Sequence, residues 1–339
     1  MSRIRLRLPK VEPTPESAYL NRRHFLAQMG FVGGAALGAG LGGGLLGSAR
    51  PALAQDDQEV ILDEAIIRPG IERPEVLALF PAKRNEKYPL PGGVKKLTPR
   101  LPVMTYINYY EFSTDKLAVW RLARDFKVDP WTIEISGECH NPQTIGIEDL
   151  FKIEQEERTY RLRCVEAWSA DVPWTGFPLH KLLAKVDPKG SAKYVQFQTV
   201  HRPDAMPGQS RNLNTRHYPW PYTEGLTIDE AMNELTLGCT GLYGKPLTRQ
   251  NGGPFRIIVP WKYGYKSPKA IDRIVLTETK PATLWETLQP AEYPFESNVE
   301  PDVPHPRWSQ AHERVIPTNE RRPTLPYNGY AEHVAHLYN

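Results

Sequence analysis

The first ordered signal along the chain is an alternation of apolar and polar side chains. Trp131-Thr132-Ile133-Glu134-Ile135 alternates and then stops at Ser136-Gly137, the pattern of a half-buried strand. Similar strand-like runs occur at Thr159–Val165, Tyr194–Val200, Phe255–Val259 and Ala270–Thr277. Helical spacing is rarer and shorter. Glu148–Phe151 reads as a helix start, Phe177–Val186 places Leu179, Leu182 and Leu183 on one face, and Asp229–Leu235 is a further short helix. Strands outnumber helices and no βαβ rhythm appears, so the pattern predicts a strand-rich α+β mixture. Residues 55–105 are rich in Pro, Lys and Arg, with short strand-like or helical pieces around Val60–Ile67. They are expected to run extended across the surface of the body that follows.

The N-terminus obeys a different rule. Arg3, Arg5, Arg7 and Lys10 precede Asn21-Arg22-Arg23-His24-Phe25-Leu26, a Gly/Ala/Leu run to about Leu46, and Ala52-Leu53-Ala54. A charged start, an apolar middle and a small-residue end mark residues 1–54 as an export signal of the twin-arginine type. A permanent membrane anchor is the competing reading. Nine glycines between Gly30 and Gly47 make the stretch a poor helix for that purpose. Twin-arginine export carries folded proteins, so the expected location is the periplasm.

Composition changes the picture in three ways. The 339 residues include 33 Pro and 25 Gly, and the mean hydropathy is negative, which fits a loop-rich soluble globule and excludes a polytopic membrane protein. The net charge of +3 belongs to the signal. Residues 1–54 hold seven Lys/Arg and two Asp/Glu, and removing them from totals of 42 and 39 leaves 35 basic and 37 acidic side chains. Without a basic surplus the body has no electrostatic hold on nucleic acid. The three cysteines, Cys139, Cys164 and Cys239, contain no C-x-x-C and are too few for an iron–sulfur cluster. One metal-bound and two buried structural cysteines fit that count, and nothing in the sequence supports a Cys139–Cys239 disulfide. Nucleotide loops, an H-E-x-x-H and a G-x-S-x-G elbow are all missing from the sequence.

The segment Tyr160-Arg161-Leu162-Arg163-Cys164-Val165-Glu166-Ala167-Trp168-Ser169 places a cysteine at a strand end beside a cation, where a thiolate is favoured. By itself the pattern also describes an inert core cysteine. With Pro173-Trp174-x-Gly176-Phe177-Pro178-Leu179-His180 it resembles the molybdenum-binding stretch of the sulfite-oxidase superfamily. More narrowly, it resembles the catalytic subunits of periplasmic protein-methionine-sulfoxide reductases. Further blocks match in order: Asn108-Tyr109-Tyr110-Glu111-Phe112, Asp129-Pro130-Trp131-Thr132, Met206-Pro207-Gly208-Gln209, Tyr243-Gly244-Lys245, Gln250-Asn251-Gly252, Pro260-Trp261-Lys262-Tyr263-Gly264, His305-Pro306-Arg307-Trp308-Ser309-Gln310 and Asn328-Gly329-Tyr330.

This resemblance implies a molybdopterin-binding catalytic domain over residues 106–339, with one molybdenum–molybdopterin per chain and Cys164 as the metal's thiolate ligand. It also implies pterin contacts at Asn108, Tyr110, Glu111, Thr199, Asn251 and Arg256, with Ser267, Pro268 and Lys269 in a loop around the phosphate. The chain departs from the family at one point: Ile107-Asn108 stands where Asn-Asn is expected. The implied activity is reduction of methionine sulfoxide in oxidised periplasmic proteins, with electrons from a membrane haem b subunit that oxidises quinols, and otherwise a monomer. Three other readings stay open at this level. Sulfite oxidation, or reduction of a small-molecule S- or N-oxide, would use the same cofactor, the former with Arg161 and Arg163 as anion-binding groups. A thiol hydrolase would pair Cys164 with His180 or His201, and a carrier would hold the cofactor without turnover.

Overall fold

The computed structural model describes residues 67–210 and 215–338, together with the backbone of two strands nearer the start. These are β1 (Arg3–Leu8) and β2 (Gln58–Asp63), which pair antiparallel. The strand-like reading around Val60 falls partly on β2, whereas the twin-arginine stretch lies outside the described residues.

Along the body come β3 (Lys83–Arg84), β4 (Thr132–Gly137), β5 (Gln143–Gly146), β6 (Glu156–Arg163), β7 (Trp168–Pro178) and β8 (Tyr194–Thr199). They are followed by β9 (Thr223–Thr227), β10 (Leu237–Leu242), β11 (Lys245–Pro246), β12 (Arg256–Ile258), β13 (Ile271–Thr277), β14 (His312–Val315) and β15 (Glu320–Pro323). Short helices fill the gaps, among them Arg100–Thr105, Ile147–Phe151, His180–Val186, Ile228–Met232 and Leu284–Leu288. The strand-rich α+β mixture expected from the pattern is the observed class. Among the described residues no helix is long and apolar enough to cross a membrane.

Two sheets organise the body. The five-stranded sheet runs β5-β4-β13-β8-β9, with β13 parallel to β4 and the other pairs antiparallel. Alternation is clean on β4, where Ile133 and Ile135 are buried and their neighbours are not. The eight-stranded sheet is built around β7, which pairs with β6, β10 and β14. Every residue of β7 is buried. A strand covered on both faces has no alternation, and this one also contains Pro173, Gly176 and Pro178, so no strand signal appears in the sequence. Phe177 and Pro178 therefore end β7, and the helix expected over Phe177–Val186 starts only at His180. Gly176 is required where β7 crosses β10: a Cβ there would sit 2.1 Å from the Gly238 carbonyl oxygen.

The expectation of an extended surface segment up to residue 105 needs correction at its end. Leu101, Pro102, Val103, Met104 and Thr105 of the helix Arg100–Thr105 are buried in the main core. This helix delivers the chain to residues 106–111.

Candidate active site

Strands β6 and β7 form a hairpin with Arg163 opposite Ser169, and Cys164 opens its turn. The turn is closed by the Cys164 N–H donating to the Trp168 carbonyl at 2.9 Å and the Ala167 N–H donating to the Cys164 carbonyl at 3.0 Å. Ala167 adopts φ +64° there. The cysteine predicted at a strand end is thus the first residue of a tight turn, held on both sides by backbone hydrogen bonds.

Three groups surround its sulfur. Asn108 Nδ2 lies 3.3 Å from Cys164 Sγ, and the Glu166 N–H points back at the same sulfur from 3.4 Å. The Glu166 carboxylate stands 3.8 Å from it and accepts from Asn108 Nδ2, Trp168 Nε1 and Lys116 Nζ at 3.0–3.3 Å. Burial, followed by the Glu166 charge, pushes the thiol up to about 12, so without a metal it is a neutral thiol at physiological pH.

The expected cation beside the thiolate is turned elsewhere. Arg163 is fully buried, pairs with the equally buried Glu313 at 3.0 Å, and donates to Gln310 Oε1 and to the Cys164 carbonyl rather than to its sulfur. Arg161 is bound to Asp171 at 3.3 Å and to the Pro91 carbonyl. Asp171 and Glu313 are shared with Arg322, so both arginines of the hairpin belong to a closed ionic network. That removes them as anion-binding groups for a substrate. A thiol hydrolase fares no better. His201 is exposed and outside the cleft, His180 sits half-buried in its helix, and the thiol is held protonated.

Cys164 opens into a cleft enclosing about 1160 Å³, counting the part continuous with solvent. Two clusters line it: Tyr106, Asn108, Glu166 and Trp168, joined to one another around Cys164, and Trp174, Arg256 and Lys269, joined by a ring contact and a backbone bridge. Gly208 makes the 106–111 wall possible, because a Cβ there would lie 1.9 Å from the Tyr110 carbonyl oxygen. Arg256 and Lys269 face each other across an isolated backbone bridge, which is why two cations belong to the same cluster.

Arg256 is buried without a carboxylate. Its two terminal nitrogens donate to the carbonyls of Asn251 and Ser267 at 2.9 and 3.3 Å, and it lies 5.0 Å from the centre of the Trp174 ring. Burial lowers it to about 10 and lowers Lys269 to about 8, with Glu111 pulling the lysine back up. Glu111, also buried, is pushed up by desolvation and accepts from Thr199 Oγ1 at 3.2 Å.

The structure therefore divides the expected contacts into two tiers. Asn108, Tyr110, Glu111, Asn251, Arg256, Lys269 and Cys164 all line the cleft. Thr199, Ser267 and Pro268 stand behind it: Thr199 holds Glu111, Ser267 Oγ accepts from the Val259 N–H, and the Pro268 carbonyl accepts from the Ile257 N–H. The Asn251 amide is likewise committed to protein, donating to the Val103 carbonyl and accepting from Thr248. Tyr106, Lys116, Glu166 and Trp174 are site residues that the sequence reading did not assign. Glu166 and Trp174 lay inside the matched blocks, and only the folded hairpin shows which way they face.

Whether these residues suit a molybdopterin can be read from their unmet hydrogen bonds. Arg256 Nε and Trp174 Nε1 are buried donors without a partner, and both residues belong to the cationic cluster lining the cleft. Two unmet donors beside an uncompensated guanidinium are what a phosphate requires. In the other cluster a lone buried thiol supplies one soft ligand. Among the described residues no cluster of three or more His, Cys, Asp or Glu forms a cage of its own, so a metal there would depend on a cofactor for its other ligands. All three cysteines are buried and free, and no Cys139–Cys239 disulfide exists.

Comparison with known proteins agrees with this chemistry. Residues 121–285 match the family described as the oxidoreductase molybdopterin binding domain. The chain carries a molybdopterin-binding oxidoreductase domain. Cys164, Thr199, Asn251, Arg256 and the 267–269 loop fall within the matched residues, and Asn108, Tyr110 and Glu111 precede them. A similar solved structure is the sulfane dehydrogenase SoxCD from Paracoccus pantotrophus, 15% identical with a TM-score of 0.43. The match covers 71% of this chain and 57% of that chain. The domain's group is the molybdenum–molybdopterin cofactor, and the chain is a molybdopterin-dependent oxidoreductase.

Proposed function

We propose that this oxidoreductase reduces methionine sulfoxide in proteins. The observation that carries the reading is the character of the cleft around Cys164. Of the described residues lining it, only Glu111, Glu166, Arg256 and Lys269 are charged; Lys269 is drawn to Glu111 and Glu166 is neutralised by Lys116. The rest of the lining is mostly apolar and rich in aromatic rings: the Tyr110 ring lies 5.4 Å from Trp285, which lies 5.0 Å from Tyr293, and Trp220 and Trp308 line it too. Such a surface suits a neutral, polarisable side chain presented by a polypeptide, whereas an oxyanion beside Cys164 would find Lys116 already committed to Glu166.

In this reading Cys164 would hold the metal, Arg256, Lys269 and Trp174 Nε1 the anionic end of the cofactor, and Asn108, Tyr110 and Glu111 its fused rings. When bound, the cofactor supplies two-electron oxygen-atom transfer. Reduction of a sulfoxide to a thioether and water consumes two electrons and two protons. The chain's part is to fix the metal's ligand in a rigid turn, to hold a neutral side chain against the aromatic lining, and to keep the carboxylate of Glu166 oriented beside the sulfur. The Arg22-Arg23 signal supports export in folded form to the periplasm. The lack of a haem or cluster motif supports a separate electron donor, for which a membrane haem b subunit fed by quinols is the expected partner.

The test is molybdenum content of wild type and Cys164→Ser, followed by turnover with reduced viologen. About one molybdenum per chain, lost in the variant, with reduction of an oxidised protein's methionine sulfoxide, is the expected result. Sulfite oxidation without sulfoxide reduction would overturn the assignment.

A further inference from the structure

Among the described residues, four that line the cleft carry a buried polar atom without a hydrogen-bond partner: Arg256 at Nε, Trp174 at Nε1, Asn108 at Oδ1 and Tyr106 at its hydroxyl. The first two belong to the cationic cluster and are accounted for by an anionic group. The other two belong to the cluster around Cys164. Asn108 is oriented through its Nδ2, which is shared between the Cys164 sulfur and Glu166. Its free oxygen can only accept.

That leaves Tyr106. Its ring is 4% exposed and packs edge-on against Trp168 with centroids 5.3 Å apart. Trp168 in turn donates to Glu166, and Lys116 Nζ lies 6.0 Å from the Tyr106 ring centre. The phenol is thus clamped in the same layer that holds Cys164, with its hydroxyl unmet. Leaving such a hydroxyl without a partner carries a desolvation penalty, which a binding site recovers when a ligand supplies the acceptor. A neutral acceptor suits this cluster, since the Glu166 carboxylate and the Lys116 ammonium already balance each other there. It must also be small enough to reach the sulfur. A sulfoxide oxygen, a strong neutral acceptor on a compact group, meets both conditions.

We propose that the Tyr106 hydroxyl donates to the sulfoxide oxygen of the substrate and positions it beside Cys164 in the cleft; this rests on the function proposed above. The donor serves a second purpose. The product thioether has no oxygen, so the same hydroxyl favours substrate over product, because a site built around a hydrogen bond rejects the analogue that lacks it. Tyr106 is a positioning residue in this scheme and gives up no proton of its own.

The experiment uses molybdenum-loaded wild type and Tyr106→Phe, a change that keeps the ring against Trp168. Dissociation constants are measured through tryptophan fluorescence for two ligands that are not reduced: N-acetylmethionine sulfone, which carries acceptor oxygens, and N-acetylmethionine, which carries none. The variant is expected to lose about tenfold in affinity for the sulfone and nothing for the thioether, with a matching rise in KM for the sulfoxide. Equal losses on both ligands would mean a packing role and overturn the proposal, as would unchanged binding. Loss of molybdenum from the variant would assign the hydroxyl to holding the cofactor and overturn it as well. Wild type that reduces no sulfoxide would defeat the functional reading, and the proposal with it, whatever the variant does.

Discussion

Arg256→Met separates what the cleft is built for from what holds the fold together. Burial lowers this guanidinium to about 10. A cation whose folded value is depressed disfavours the fold throughout the range below it, here by about 3 kcal/mol at neutral pH. Two carbonyl acceptors and the face of Trp174 are its protein partners, and no carboxylate offsets the charge. Methionine has similar length and no charge to desolvate. Loss of the contact with Trp174 costs about 1–2 kcal/mol; the Asn251 carbonyl borders the cleft, where water can reach it, and the Ser267 carbonyl behind the cleft adds about 1 kcal/mol. The contributions nearly cancel, so the cofactor-free variant should match cofactor-free wild type within about 1 kcal/mol in urea-induced unfolding. Wild type should gain stability on loading, since only the folded state binds, and Arg256→Met should lose that gain along with its molybdenum. A cofactor-free variant destabilised by more than about 2 kcal/mol would refute the reasoning, for it would mean that Arg256 is part of the scaffold.

Other expectations concern the scaffold itself. Glu313→Gln strands Arg163 and removes one partner of Arg322, and should cost about 3–5 kcal/mol, seen as a fall of roughly 10 °C in Tm. Replacing the pair together, Arg163→Met with Glu313→Leu, should recover most of that loss. Lys269 is lowered by burial to about 8, so between pH 8 and 10.5 the unfolded chain binds the proton that the folded one has released. Stability of the cofactor-free protein should therefore rise with pH across that window, and urea titrations of Lys269→Met should show a shallower rise. Gly208→Ala forces a Cβ against the Tyr110 carbonyl and should displace the 106–111 wall; its molybdenum content should fall well before its far-ultraviolet circular dichroism changes.

The local pattern of the sequence was enough for those strands that have one dry face and one wet face. Ile133 and Ile135 alternate with exposed neighbours, and the strand is where the alternation places it. Cys164 was legible as a residue of interest because its neighbours form a long matched block. The cation beside it was misleading. Adjacent residues of a strand point to opposite faces, so Arg163 was bound to leave the cysteine's side, and its partner Glu313 is 150 residues away.

By itself the sequence determined the strand-rich class, which rests on alternation, and, through the resemblance carried by its contiguous blocks, the domain's cofactor; it also singled out Cys164, whose role as the metal's ligand is proposed above. The tertiary structure decided the rest. Strand β7 left no pattern because it is covered on both faces, and the cleft is assembled from the 106–111 segment, the Cys164 turn, β12 and the loop ending at Lys269, each of which is indifferent to the others until packed. Whether Thr199 faces a ligand or braces Glu111, and whether Tyr106 is spent on the protein or left unmet, depends on partners tens of residues distant. Hydrogen-bond satisfaction is a property of such encounters, and no window along the chain contains it.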